Sequence, residues 1–237
     1  MADDNITEGG GFGGAHPHAG LETVTFMLRG TMQDTGGRLE EGDVEWMTAG
    51  SGIVHAENAT VSTGMRLLQL WLVLPEAQRN MAPRVQILRR AEMPVHVTPD
   101  VVATVYSGTM ATTLNAVPVT LSDIHMAPGA EFTVDLPTSY NAFLVGIDGE
   151  VEAGAAAGIV ASGTVGWTGP VGDGDSVLAL RAGEDGARVL LYAGEPQHMS
   201  VVVAKGPFIA GSHEELVGYY AAYRHGKFPH ASTMRPE

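Results

Sequence analysis

Apolar and β-branched residues along this chain gather in short runs divided by Gly-rich turns, the pattern of strands rather than helices. Residues 22–28 (ETVTFML) form the first clear strand, closed by Gly30. Turns are expected at Thr35-Gly36-Gly37, at Glu41-Gly42-Asp43 and at Ala49-Gly50-Ser51-Gly52, the last leading into Ile53-Val54-His55-Ala56-Glu57. Residues 66–74 (RLLQLWLVL) are almost continuously apolar, as in a strand covered on both faces, and the polar stretch from Pro75 to Pro83 ends it. Weaker strands are expected at 84–88, 101–106, 119–125 and 131–136. Asp148-Gly149, flanked by apolar residues within 141–151, predicts a hairpin turn, and 177–180 with 188–192 predicts an antiparallel pair around 183–186. One segment has helical spacing: Leu216, Tyr219, Tyr220 and Tyr223 within 213–223, with Ser212 as N-cap and Glu215 placed to complete a capping box.

A loose internal repeat organises these strands. FMLRGT from Phe26, with a Gly-Asp turn behind it, recurs as FLVGIDG from Phe143 with Gly174-Asp175 behind it. The fold class expected is therefore all-β, two small barrels or jelly rolls with a short C-terminal helix. The boundaries this suggests are a first barrel at 1–75, a linker with shared strands at 76–118, and a second barrel plus the helix at 119–237.

Composition narrows the function. With no cysteine, disulfides, thiolate metal sites and cysteine nucleophiles are excluded. The formal charge of −14, with only 13 basic residues, disfavours direct nucleic-acid binding, which needs clustered Lys and Arg. The acidic, Gly-rich start does not read as a secretory signal, and the apolar run 67–74 is too short to span a bilayer and contains Gln69. A cytoplasmic protein with no membrane partner is expected.

The candidate chemistry sits in the first half. Residues two apart on a strand share a face, so His16 and His18 point together, as do His55 and Glu57. If those strands meet inside one barrel, two to three imidazoles and a carboxylate converge, a donor set that suits Fe(II), Mn, Ni, Cu or Zn. His96, His125 and His198 stand alone, and Phe26, Trp46 and Met47 read as core. Counting back from Phe143 as His16 and His18 lie back from Phe26 gives Thr133 and Asp135, so the second unit has no matching ligands.

Gly10, His16, His18, Glu22 and Gly30 resemble the first cupin motif, and Gly42-Asp43 through Ala49-Gly50 to His55 resembles the second. The second departs from the general pattern: Thr48 stands where Pro is usual, and two extra residues precede the histidine. HPHAGLETVTF from His16 and VEWMTAGSGIVHAE from Val44 are very similar to signature stretches of the pirin family, and GEP from Gly194 and GPFI from Gly206 add to the likeness. The resemblance implies two stacked cupin barrels with one iron in the first only, held by His16, His18, His55 and Glu57. It implies either a quercetin 2,3-dioxygenase-like enzyme acting on a flavonol-like aromatic with O2, or a redox-sensitive iron protein that regulates a protein partner. In the enzyme reading Glu57 is both ligand and general base. Glu22 is a ligand in ordinary cupins; with Glu57 available, a place behind the ligands or a structural role is expected. Only 15 residues precede His16, where pirins carry several tens: either the chain starts late or the barrel lacks a wall, and a missing strand would leave an unpaired sheet edge and a more open metal site.

Overall fold

The computed structural model describes residues 2–6, 11–34, 36–57, 59–60, 64–169, 176–199, 202–203 and 206–234. The chain divides into two compact units, residues 1–92 with 115–117 and 198–237, and residues 93–114 with 118–197. Among the described residues no helix is long and apolar enough to cross a membrane.

In the first unit an antiparallel sheet runs Ala2–Ile6, Met65–Val73, Leu21–Arg29, Val44–Thr48, Arg84–Leu88. The strand Ala2–Ile6 forms one edge of this sheet, paired with Met65–Val73. Leu21–Arg29 is buried at every residue but the last, so both faces are covered and the β-branched run is stabilised by packing on each side. Register fixes which side chains share a face. Thr25 lies opposite Gln69 on one neighbour and Glu45 on the other, and Thr23 lies opposite Trp71 and Met47. Met27, Met32, Leu39, Met65 and Leu67 form one apolar cluster of this unit; Met47, Ala49, Ile53, Val85 and Ala231 form another. Short antiparallel pairs complete it: His16–His18 with Ile53–His55, Met32–Gln33 with Arg38–Leu39, and Gly11–Phe12 with Ala59–Thr60.

The helix His213–Arg224 forms as expected, with the Ser212 hydroxyl accepting from the Glu215 amide at 3.1 Å. Glu215 does not close the reciprocal half of the box. Its carboxylate accepts from the Gly211 amide (2.7 Å) and from Arg79 (3.1 Å), which is itself buried. Tyr219 packs with Ala19, Val54, Phe208, Ala210 and Phe228. Residues 198–237 cluster with the first unit, because the helix buries its aromatic face against strands from the start of the chain.

The second unit is a sheet ordered Val95–Val97, Val101–Ser107, Val119–Met126, Val177–Gly194, Asn141–Ala153, Gly158–Ala161, with Glu131–Asp135 and Val165–Trp167 paired off this path. Val101, Ile124, Val151, Leu180, Val189 and Leu191 are among its core. Two expectations are corrected here. Asp148-Gly149 is not a hairpin turn but part of the continuous strand Asn141–Ala153, which shifts register between Gly146 and Asp148 and again between Gly149 and Val151. Likewise the expected pair around 183–186 is one strand, Val177–Gly194. Gly149 has φ +61°, and a Cβ there would lie 2.1 Å from the Gly186 carbonyl oxygen, so the glycine serves a bulge and close approach rather than a reversal. Strand Val177–Gly194 changes partners along its length, meeting Glu131–Asp135 near its start and Val119–Met126 nearer its end.

Of the expected turns, residues 34 and 37 exchange backbone hydrogen bonds, although Thr35 lies outside the described residues. Gly10 and Gly174-Asp175, used in the motif and the repeat, also lie outside them.

Candidate metal centre

Strand alternation aims His16 and His18 to one side, and the pairing of His16–His18 with Ile53–His55 sets His16 directly opposite His55. The three imidazoles converge, each contributing a ring nitrogen within 4.8 Å of the others. His18 and His55 are buried and His16 is half-buried.

Hydrogen-bond inventory fixes what these rings present. His16 Nδ1 lies 2.7 Å from the Gly14 carbonyl, which only accepts, so Nδ1 carries the hydrogen and Nε2 keeps its lone pair. His55 Nδ1 lies 3.2 Å from the Asp34 carboxylate, so its Nε2 is a lone pair too. The two Nε2 atoms face each other at 2.9 Å. Two lone pairs at that distance require a positive group to bind them both, either a proton or a metal ion. Burial disfavours the proton, holding His16 below its ordinary value against the opposing Gly14 hydrogen bond. His18 is held down to about 3, by burial first and then by the His55 and His16 rings. Both ring nitrogens of His18 are buried and neither makes a well-aligned hydrogen bond, the Pro207 carbonyl being a backbone acceptor near enough to oppose the downward shift. Neutral, desolvated imidazole nitrogens of this kind are lone-pair ligands that a bound cation satisfies. The three histidines fit a divalent transition metal.

Glu57, the fourth residue expected, is buried nearby but does not complete this group. Its Oε1 accepts from Gln69 Nε2 at 2.8 Å. Burial raises the Glu57 carboxyl above its usual range, against the opposing pull of His55. Glu22 is not behind the ligands. It is fully buried, accepting from the Thr48 hydroxyl (2.6 Å) and the Ala116 (3.2 Å) and Val117 (3.3 Å) amides, so it pins residues 115–117. Shared parity with His16 and His18 fails because the chain bends at Gly20 (φ +77°), where a Cβ would lie 1.8 Å from the Ile209 carbonyl oxygen.

Three residues the sequence did not single out complete the surroundings. Asp34 orients His55, and Glu45, deeply buried beside Asp34, forms with both a second close cluster. Burial, then Asp34 and Glu57, push the Glu45 carboxyl well up. Gln69 donates to Glu57 and to Thr25, and accepts from the Trp71 indole N–H at 3.2 Å. A charged residue inside VEWMT and a lone amide inside an apolar run were the available signals for Glu45 and Gln69; Asp34, in a turn, had none.

Profiles of two known domains match the chain: pirin over residues 1–72 and the pirin C-terminal cupin domain over residues 121–229. A pirin-like protein of Solanum lycopersicum is 32% identical over 221 residues, covering 90% of this chain and 75% of that protein. The chain belongs to the pirin family. A second pirin relative, from Pseudomonas aeruginosa and provisionally named a quercetin 2,3-dioxygenase, is 32% identical, covering 91% of this chain and 78% of its own. A crystal structure described as quercetin 2,3-dioxygenase from Acinetobacter baumannii superposes with a TM-score of 0.79 at 25% identity, over 94% of this chain and 76% of that one. The fold is thus the two-domain cupin arrangement of pirins. In this pirin the metal-suited clusters found among the described residues both lie in the first unit. The second unit's counterparts, Thr133 and Asp135, are exposed on Glu131–Asp135, and His125 pairs with Asp123 instead.

Proposed function

We propose that this pirin is an iron-dependent dioxygenase of the quercetin 2,3-dioxygenase type, with Fe(II) held by His16, His18 and His55 and with Glu57 as the adjoining carboxylate. The observation that carries the reading is the pair of facing Nε2 lone pairs at 2.9 Å, with the buried His18 ring converging on them. The names borne by the Pseudomonas and Acinetobacter relatives support the choice of reaction. A bound metal of this kind supplies open coordination positions that acidify a substrate hydroxyl and bring it together with O2.

The chain's own residues then have separate tasks. Asp34 fixes His55 in the tautomer that leaves Nε2 free, and the Gly14 carbonyl does the same for His16. Glu57 accepts the proton of the flavonol hydroxyl, a role that requires its carboxylate within hydrogen-bond reach of that group. Trp71, partly exposed and set edge-on to His18 at 5.3 Å, offers an aromatic wall beside the imidazoles.

The test is metal analysis of the purified protein, followed by anaerobic Fe(II) reconstitution and quercetin decay in air. Iron near one per chain with turnover, both lost in His16→Ala, is the expected result. Bound iron without turnover would transfer the site to redox-dependent control of a protein partner. No bound metal after reconstitution would remove the reading altogether.

A further inference from the structure

We propose that the second unit carries a binding site of its own, for a neutral aromatic molecule bearing a hydroxyl group. A cavity of about 630 Å³ opens in this unit, a size that takes a small organic molecule. The residues lining it all belong to the second unit, so no residue of the metal centre takes part.

Strand register explains why the space exists. On Val101–Ser107 and Val119–Met126, Ala103 lies opposite Ile124 and Val105 opposite Ser122, so these four share one face. Thr120 continues that face by alternation, next to Gly108, where an added Cβ would lie 3.2 Å from Thr120 Oγ1. Small residues at 103, 108 and 122 leave a hollow that larger side chains would fill. Another wall is the strand Glu131–Asp135, whose half-buried Phe132 and Val134 alternate with exposed Glu131, Thr133 and Asp135. His96, opposite Ala103 on Val95–Val97, brings its ring to 5.4 Å from that of Phe132.

The lining sets the chemistry of the occupant. Ala103 and Ile124 are buried members of the unit's core, with Phe132 packed against it, so a ring seated here leaves water for apolar contact. Ser122 is only 5% exposed, and its hydroxyl stands on the cavity face. A ligand hydroxyl both donates and accepts, and so answers a serine or threonine in either direction. Among the described residues lining the cavity there is no Lys or Arg, and the carboxylates are Glu131 and Asp135. On a chain of formal charge −14 this field repels carboxylate and phosphate ligands, which leaves a neutral molecule as the occupant.

The probe is 2-naphthol, uncharged at neutral pH, titrated calorimetrically into the full chain stripped of metal by chelator, so the outcome is independent of the metal reading. Wild-type protein is expected to bind it, and to bind 2-naphthoate at least about tenfold more weakly. Ala103→Leu fills the cavity and Phe132→Ala removes its aromatic wall; each is expected to weaken 2-naphthol by about tenfold or more. Phe132 is half-buried, so its variant still tests the site should leucine at position 103 unfold the sheet. Ser122→Ala is expected to weaken 2-naphthol about fivefold, the worth of one neutral hydrogen bond, and to leave naphthalene binding unchanged. No binding to the wild type, or binding that survives both Ala103→Leu and Phe132→Ala, overturns the site. Naphthoate bound as tightly as 2-naphthol defeats the assignment of a neutral ligand, and native 2-naphthol affinity in Ser122→Ala defeats the hydroxyl as its anchor.

Discussion

Replacing Asp34 with Asn tests the tautomer reasoning on which the metal centre depends. In the native site Asp34 Oδ1 accepts from the Gly36 amide at 2.9 Å and Oδ2 faces His55 Nδ1 at 3.2 Å. Asparagine has one acceptor oxygen, and the Gly36 N–H claims it. The asparagine amide then points its own N–H at His55 Nδ1, which reverses the tautomer and places the imidazole hydrogen on Nε2. That hydrogen occupies the lone pair His55 presents to His16 at 2.9 Å. Loss of a partner behind a histidine ligand lowers metal affinity about 10- to 100-fold, or roughly 1.4 to 2.7 kcal/mol. Folding should suffer little, because the Glu45 carboxyl, which is hydrogen-bonded to Asp34 and pushed up by burial and by that charge, can accept from the asparagine amide instead. The assay is chelator competition with Ni(II), paired with thermal unfolding of the metal-free protein. Native affinity in Asp34→Asn would refute the tautomer reasoning; a lost affinity accompanied by a collapsed melting transition would refute the claim that the role is local.

Other outcomes follow from the same contacts. Gly20→Ala puts a Cβ 1.8 Å from the Ile209 carbonyl oxygen at φ +77°, so it should cost at least about 2 kcal/mol in a urea melt. Arg79→Ala strips a buried guanidinium from Glu215 and the Leu74 carbonyl, at about 3 kcal/mol, and hydrogen exchange should rise first in His213–Arg224. In the second unit burial alone would raise Asp123, but hydrogen bonds from His125 and Arg188 outweigh it and hold the carboxyl below its usual range. A depressed carboxyl stabilises above its unfolded value and loses that contribution as pH falls through the folded one. Arg188→Leu should therefore cost about 3 kcal/mol at pH 7 and progressively less as pH falls from the unfolded carboxyl's value of about 3.9 towards the depressed folded one; a pH-independent loss in paired denaturant melts would count against this.

How far the site could be read in advance depended on whether its residues were neighbours in sequence. His16 and His18, and His55, were legible because period-two alternation is a local property of a strand, and their convergence needed only that the two strands pair. Glu22 has the structural role that was one of its two expected places, because alternation from His16 and His18 holds only within an unbroken strand and Gly20 interrupts it. Asp148-Gly149 misled for a related reason: a tight hairpin and a strand bulge both call for positive φ at glycine, so the dipeptide does not distinguish them.

The sequence by itself determined the all-β class, the cap of the α-helix and the paired directions of His16 with His18. Each depends on residues within about one turn or one strand of each other. Only the tertiary structure decided what surrounds those imidazoles. Asp34, Glu45 and Gln69 come from a turn and two further strands, and their meeting is set by cross-strand register. It also decided that the C-terminal helix docks on the first unit, because the apolar face that helix buries is made by residues nearly two hundred positions away, such as Ala19. No local pattern encodes such a contact; it exists only once the strands have closed around the core.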